Sequence, residues 1–213
     1  LLSIRPSIII KKNIVLNYMT KYFTGDFYAD GCLMYDYLSQ LELYTGNERS
    51  GSKFFDKIKG SKKPNSLKFG WTWRKRRGVK DREYDEKVGL YKTKMMEEQP
   101  WLSEMFKEYQ NYYFPDFQWT EITINHMPTG CRTKEHYDKI NVGDSVLIGF
   151  GDYTGGKTYI QNKKDKNYII EDARDKPLIF NGAERKHGVT SISSGDRFSL
   201  VYYKNKPMKV NKY

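Results

Sequence analysis

Cysteine is nearly missing from this chain: Cys32 and Cys131 are the only two in 213 residues. Two cysteines cannot build a disulfide framework, so packing must hold the fold, and the count fits a reducing, intracellular compartment with both as free structural thiols. No stretch approaches the roughly 20 apolar residues of a membrane span, and no signal peptide is visible. Leu1 stands where an initiator Met would, so the chain is read as trimmed or as a piece of a longer one. No Pro/Gly/Ser-rich linker divides it, and residues 1–213 read as a single domain large enough to bury a sizeable core. Acidic residues are also in deficit, 26 against 37 Lys and Arg, for a net charge of +11 and a pI near 9.4. That surplus points to a polyanion, nucleic acid first among them. The 10 arginines among those 37 basic residues are few, and an AT-rich genome would give the same lysine bias without any binding role.

Histidine is scarce too, with three in the chain, yet two of them sit in the most informative constellation. His136-Tyr137-Asp138 is followed by His187, and ten residues later by Arg197-Phe198-Ser199. Residues i and i+2 of a strand project to one side, so His136 and Asp138 can share a metal, with His187 arriving from a distant strand. Two imidazoles and one carboxylate on one face, the other face open, is the ligand set of non-haem Fe(II) oxygenases. Val189–Ile192 reads as strand, Ser193-Ser194-Gly195-Asp196 as a turn and Arg197–Tyr203 as the returning strand, a hairpin that would set Arg197 beside the metal strand. A guanidinium there suits the far carboxylate of a small diacid, and Ser199, on the same face, adds a further bond. His-x-Asp alone is a weak signal, and Zn accepts the same ligands, which keeps a Zn-binding or non-enzymatic β-sandwich module as a rival.

With those residues in place, the chain resembles the Fe(II)/2-oxoglutarate-dependent dioxygenase superfamily. The likeness implies a double-stranded β-helix (jelly-roll) core, with His136, Asp138 and His187 holding iron and serving catalysis, and Arg197 and Ser199 holding 2-oxoglutarate. Asn125, in Asn125-His126-Met127-Pro128-Thr129-Gly130, is similar to an Asn-x-x-x-x-Gly segment whose side chain helps hold the oxoacid. The run from His136 to Ser145, then Gly155-Gly156, His187-Gly188-Val189-Thr190 and Arg197-Phe198-Ser199-Leu200, is most similar to the TET/JBP branch, over roughly residues 119 to 204. That branch hydroxylates the methyl group of thymine or 5-methylcytosine in nucleic acid. Tyr203 stands where an AlkB-type enzyme carries a second arginine. The implied cofactors are Fe(II), 2-oxoglutarate as cosubstrate and O2, with ascorbate as reductant. A prolyl or lysyl side chain of a protein remains the alternative substrate, and the nucleus is one address open to such an enzyme.

The expected fold is mainly β with supporting helices (α+β), the β-helix core over 116–205 being braced by a helical and loop N-terminal part over 1–115. Leu33, Tyr37, Leu38 and Leu41 recur at helical spacing, and Ile8-Ile9-Ile10 is a short apolar run. Asn47 to Lys63 reads as a loop. The basic loop 62–80 interleaves Trp71 and Trp73 with Arg74, Lys75, Arg76 and Arg77, which suits substrate contact by stacking and phosphate neutralisation. The bland alternative packs both tryptophans inward and leaves the arginines solvated or as an import signal. Pro100 opens a helix with Trp101, Leu102, Met105, Phe106 and Tyr109 in one stripe. Strand signals follow at 118–126, 144–150, 157–161, 167–171, 176–181, 186–192 and 197–204, with Asn181-Gly182 as a hairpin turn. His126 reads as a packing or hydrogen-bonding residue rather than a ligand.

Overall fold

The computed structural model describes residues 23–41, 55–57, 64–72, 84–85 and 90–206, with backbone alone for 55–57 and 84–85. Helix α1 (Phe27–Gln40) starts at Asp26, whose side chain accepts from the Ala29 N–H at 2.9 Å. Such a cap satisfies a donor that the first helical turn leaves open. Helix α2 (Lys94–Glu98) is capped in the same way by Thr93. Helix α3 (Trp101–Tyr113) begins after Pro100, as expected, and buries Leu102, Met105, Phe106 and Tyr109. That spacing makes one apolar stripe facing the sheet.

Strands β1 (Phe55–Lys57), β2 (Asn65–Thr72), β3 (Tyr84–Asp85) and β4 (Leu90–Lys92) precede the core. The core strands are β5 (Glu121–Pro128), β6 (Cys131–His136), β7 (Asn141–Phe150), β8 (Tyr153–Gly155), β9 (Thr158–Gln161), β10 (Tyr168–Glu171), β11 (Leu178–Phe180), β12 (His187–Val189) and β13 (Ile192–Asn205). They form two antiparallel sheets. The larger runs β11-β7-β13-β5-β2-β4-β3, with β8 on β13, and the smaller runs β1-β6-β12-β9-β10. From β5 on, the chain repeatedly crosses between the two sheets, which is the double-stranded β-helix. Alternation then gives each strand of the larger sheet two distinct faces. Leu67, Phe69, Ile122, Ile124, Ile148, Phe198, Leu200 and Tyr202 turn to α1 and α3 and build the main core. Phe106 of α3 meets Phe69 and Tyr202 edge-on, at centroid distances of 5.2 and 6.4 Å. The other face lines the barrel interior with Glu121, Thr123, Asn125, Arg197, Ser199 and Tyr203.

Several expectations change. The Val189–Tyr203 hairpin does not form: β12 pairs with β6 and β9, whereas β13 pairs with β5, β7 and β8. Ser193 to Asp196 is strand because β8 pairs with it, and Gly195, at φ +79°, lets the Asp152 carbonyl approach where a Cβ would lie 2.0 Å away. Asn181-Gly182 likewise is a turn that carries the chain from one sheet to the other rather than a hairpin, since β11 and β12 are not neighbours. The N-terminal part is not only helix and loop. Residues 65–72 of the expected basic loop form β2, held by six consecutive pairs with β5 and by burial of Leu67 and Phe69, and Phe55–Lys57 within the expected 47–63 loop pairs with β6. Ile8–Ile10 and the remainder of 47–63 lie outside the described residues.

Candidate metal centre and acid clamp

His136 ends β6 and His187 begins β12, and the two are direct partners across the strand pair, with ring centroids 4.4 Å apart. Asp138 lies two residues beyond the end of β6, so strand alternation is not what places it. Its own N–H donates to the Gly182 carbonyl at 2.8 Å, and its carbonyl accepts from the Asn141 N–H at 2.9 Å. Gly182 is needed there for close approach: an added Cβ would lie 3.1 Å from Asp138 Oδ2 and 3.2 Å from His187 Cε1. The turn expected to close a hairpin thus seats a carboxylate between two imidazoles.

One donor atom from each of the three residues lies within 4.8 Å of the others. His136 Nε2 is 3.8 Å from Asp138 Oδ1, and His187 Nε2 is 3.4 Å from Asp138 Oδ2. The far ring nitrogens are both engaged: His136 Nδ1 bonds the Lys134 carbonyl at 2.7 Å, and His187 Nδ1 bonds the Arg185 carbonyl at 3.0 Å. A carbonyl only accepts, so Nδ1 carries a proton in each ring and Nε2 is the nitrogen turned toward Asp138. Backbone fixing of the tautomer in this way is the usual support of a metal-binding imidazole. Burial, then the neighbouring His187, holds His136 below the ordinary histidine range and so neutral. Burial alone would raise the Asp138 pKa, but the His187 hydrogen bond and the nearness of His187, His136 and Lys68 outweigh it and hold the group low, as a carboxylate. The donor set fits a divalent cation.

Arg197 is 1% exposed, among the largest fully buried side chains among the described residues. Its Nη1 donates to Ser199 Oγ at 3.0 Å, whereas Nε and Nη2 have no hydrogen-bond partner. Asn125, facing Ser199 across β5 and β13, points Nδ2 at Ser199 Oγ from 3.5 Å. The structure therefore brings Arg197, Ser199 and Asn125 together. Tyr153 and Thr158 also end in buried hydroxyls without partners, and the Arg197 guanidinium lies 5.9 Å from the Tyr153 ring. Unmet donors around a buried cation are costly unless an anion meets them, which fits a carboxylate ligand. The sequence reading missed Tyr153 and Thr158, because nothing marks a Tyr in a Gly-rich turn as buried.

A second polar group inside the barrel was also missed. Glu121, buried on β5, takes Lys68 Nζ at 2.5 Å and the Tyr203 hydroxyl, and Asn205 Nδ2 at 3.2 Å. Tyr203, the position without an AlkB-type arginine, also bonds Lys68, and its hydroxyl lies 3.2 Å from Thr123 Oγ1. The signal of this group was the spacing Glu121, Thr123, Asn125 on one strand face. Of the expected substrate block, Trp71 is half-buried on β2, and its carbonyl accepts from Asn205 Nδ2 at 3.0 Å. Trp73, Arg74, Arg76 and Arg77 lie outside the described residues. His126 stacks on Phe198 and bonds Asp196 at 2.9 Å, a packing role as expected.

A β-helix that pairs a His-x-Asp and distant His face with a buried arginine resembles the Fe(II)/2-oxoglutarate oxygenase superfamily, and in sequence its TET-like branch. The chain is 35% identical over 80 residues to Tet-like dioxygenase 1 of Naegleria gruberi, a match that covers 38% of this chain and only 25% of that relative. Its fold is similar to that of NgTET1 solved in complex with 5mC DNA, with a TM-score of 0.53 at 17% identity over 84% of this chain and 69% of that one. The structure of OsALKBH1 superimposes with a TM-score of 0.48 at 14% identity, over 87% of this chain and 99% of that one. No family model matches the chain.

Proposed function

We propose that the chain is an Fe(II)- and 2-oxoglutarate-dependent dioxygenase that hydroxylates a C–H bond, its substrate the methyl group of a pyrimidine base, thymine or 5-methylcytosine, in nucleic acid. The observation that carries the reading is a triad of two imidazoles and a carboxylate in the same barrel as a fully buried guanidinium with two unpartnered nitrogens. A structural Zn site has no need of such a guanidinium. His136, Asp138 and His187 would hold Fe(II), and Arg197, Ser199 and Asn125 the distal carboxylate of 2-oxoglutarate. With O2 these supply the oxidation: the C–H bond gains one oxygen atom, and the oxoacid becomes succinate and CO2 with the other.

The protein's own work is orientation. The planar Arg197 fork fixes one end of the oxoacid, and Ser199 restrains that fork. The Lys134 and Arg185 carbonyls keep both imidazoles aimed inward. The core packed behind β5, β7 and β13 keeps that side of the site dry, which strengthens each charge-assisted bond. The base reading draws on the relatives and on the net charge of +11. A base in duplex DNA would have to leave the stack, at a cost of a few kcal/mol.

The test is anaerobic reconstitution with Fe(II), 2-oxoglutarate and ascorbate, then air, with methylated DNA, unmethylated DNA or peptides. The expected result is succinate release coupled to a hydroxymethylated base. Succinate coupled only to peptide would keep the oxygenase and overturn the base, and no succinate from iron-loaded protein would overturn both.

A further inference from the structure

β10 is the outermost strand of the smaller sheet, and among the described residues it pairs only with β9. Its Tyr168, Ile169 and Ile170 are 39%, 43% and 59% exposed. Soluble proteins blunt such edges with proline, lysine or a bulge. Tyr168–Glu171 has no Pro and no Lys, and its register with β9 is unbroken. The edge strand of the larger sheet, β11, exposes Ile179, and the connection through 172–177 puts both edges on one side of the barrel.

We propose that this side is a homodimer interface in which β10 pairs antiparallel with β10 of a second copy, joining the two smaller sheets. The backbone fixes the register. Asn162 N–H donates to the Asn167 carbonyl at 2.7 Å, which makes 162 and 167 a hydrogen-bonded pair. Alternation then turns the Ile169 and Glu171 backbone to β9 and leaves that of Tyr168 and Ile170 facing outward. A two-fold axis through an antiparallel sheet keeps each face continuous, so a residue on the axis faces its own copy. With Ile169 on that axis, Tyr168 of each copy meets Ile170 of the other, and these are the residues with free backbone groups. The same register brings the turn of one copy, where Lys164 and Lys166 outnumber Asp165, beside Glu171 of the other, whose carboxylate its own chain meets only through Lys176 at 3.5 Å among the described residues. Opposite charge at the two ends of one strand is complementary to itself only when antiparallel. A second copy therefore fits this edge by hydrogen bonding, apolar contact and charge at once.

The contact is short, so affinity on the order of micromolar is expected. Sedimentation velocity across about 5–300 µM brackets that range. Salt near 0.2 M screens the repulsion between two basic chains. Nuclease-treated protein should shift from monomer to dimer. Ile170→Pro removes an N–H that the fold does not use, and Ile170→Lys blunts the apolar face. Both should weaken the dimer at least tenfold with unchanged circular dichroism and melting. In a Cys32→Ser background, Ile169→Cys should oxidise to a covalent dimer, because directly opposed non-hydrogen-bonded pairs bring Cα atoms to about 4.5 Å. A monomer throughout, a dimer indifferent to both Ile170 variants, or failure of Ile169→Cys to cross-link would overturn the proposal. So would an added β-strand peptide that binds this edge of an otherwise monomeric chain.

Discussion

His136 and His187 face one another as direct partners on neighbouring antiparallel strands, and each ring is held by a backbone carbonyl two residues earlier on its own chain segment, Lys134 and Arg185. Two imidazoles are thereby locked in orientation before any metal arrives. Asp138 enters from outside the strand, so it is the member whose loss least disturbs the fold.

Asp138→Ala should abolish metal-dependent 2-oxoglutarate turnover while leaving the melting transition within about 1 kcal/mol of the parent, since its side chain is one-third exposed. Succinate release with Fe(II) and 2-oxoglutarate and a thermal melt check both halves. Retained turnover would remove Asp138 from the site.

Arg197→Ala should raise the 2-oxoglutarate dissociation constant about 30- to several-thousand-fold, corresponding to roughly 2–5 kcal/mol for a buried charge pair. Arg197→Met, close in volume, should lose the oxoacid as well. Its ligand-free form should melt no lower than the parent, because an unpaired buried guanidinium is itself destabilising. Calorimetry and a melt of the ligand-free proteins separate the two effects.

Gly182→Ala places a Cβ against Asp138 Oδ2 and His187 Cε1. Metal affinity should fall about 10- to 100-fold, the scale seen when the support of a ligand is disturbed. Secondary structure should be unchanged, and a metal titration with a chelator competitor reads the loss.

Asp30 is a stability probe remote from the site. It is buried on α1 and accepts from the Thr24 and Gly25 N–H groups, the Thr24 hydroxyl and the Tyr113 hydroxyl. Burial alone would raise its pKa, but these bonds outweigh it and hold it below 3.8. The folded value therefore lies under the unfolded one, so the contribution is complete above the unfolded value and is lost as pH falls through the folded value. Asp30→Asn should cost about 1–3 kcal/mol at neutral pH, and the gap to the parent should close below roughly pH 4. Urea melts across that range would show a constant gap if the carboxylate were not involved.

The candidate site was legible in the sequence because two of only three histidines fall in it beside an arginine, and Arg197 and Ser199 do share a face, whereas Asp138 lies beyond the end of β6 and is placed by the turn at Gly182. The connections were not. Ser193-Ser194-Gly195-Asp196 has the composition of a turn, and only pairing with β8 from 40 residues earlier makes it strand. β2 was hidden for the same reason, since its partner β5 lies more than 50 residues on. Lys68, Glu121 and Tyr203 belong to separate segments, and the contacts of Lys68 with the buried Glu121 and Tyr203 exist only once β2, β5 and β13 lie side by side.

The most direct test of the account is an anaerobic calorimetric titration of 2-oxoglutarate into the chain with and without Fe(II), beside His187→Ala and Arg197→Ala. If the triad and the arginine form one site, binding should need the metal and be lost in either variant. Binding of equal strength without metal, or binding that survives both substitutions, would contradict it.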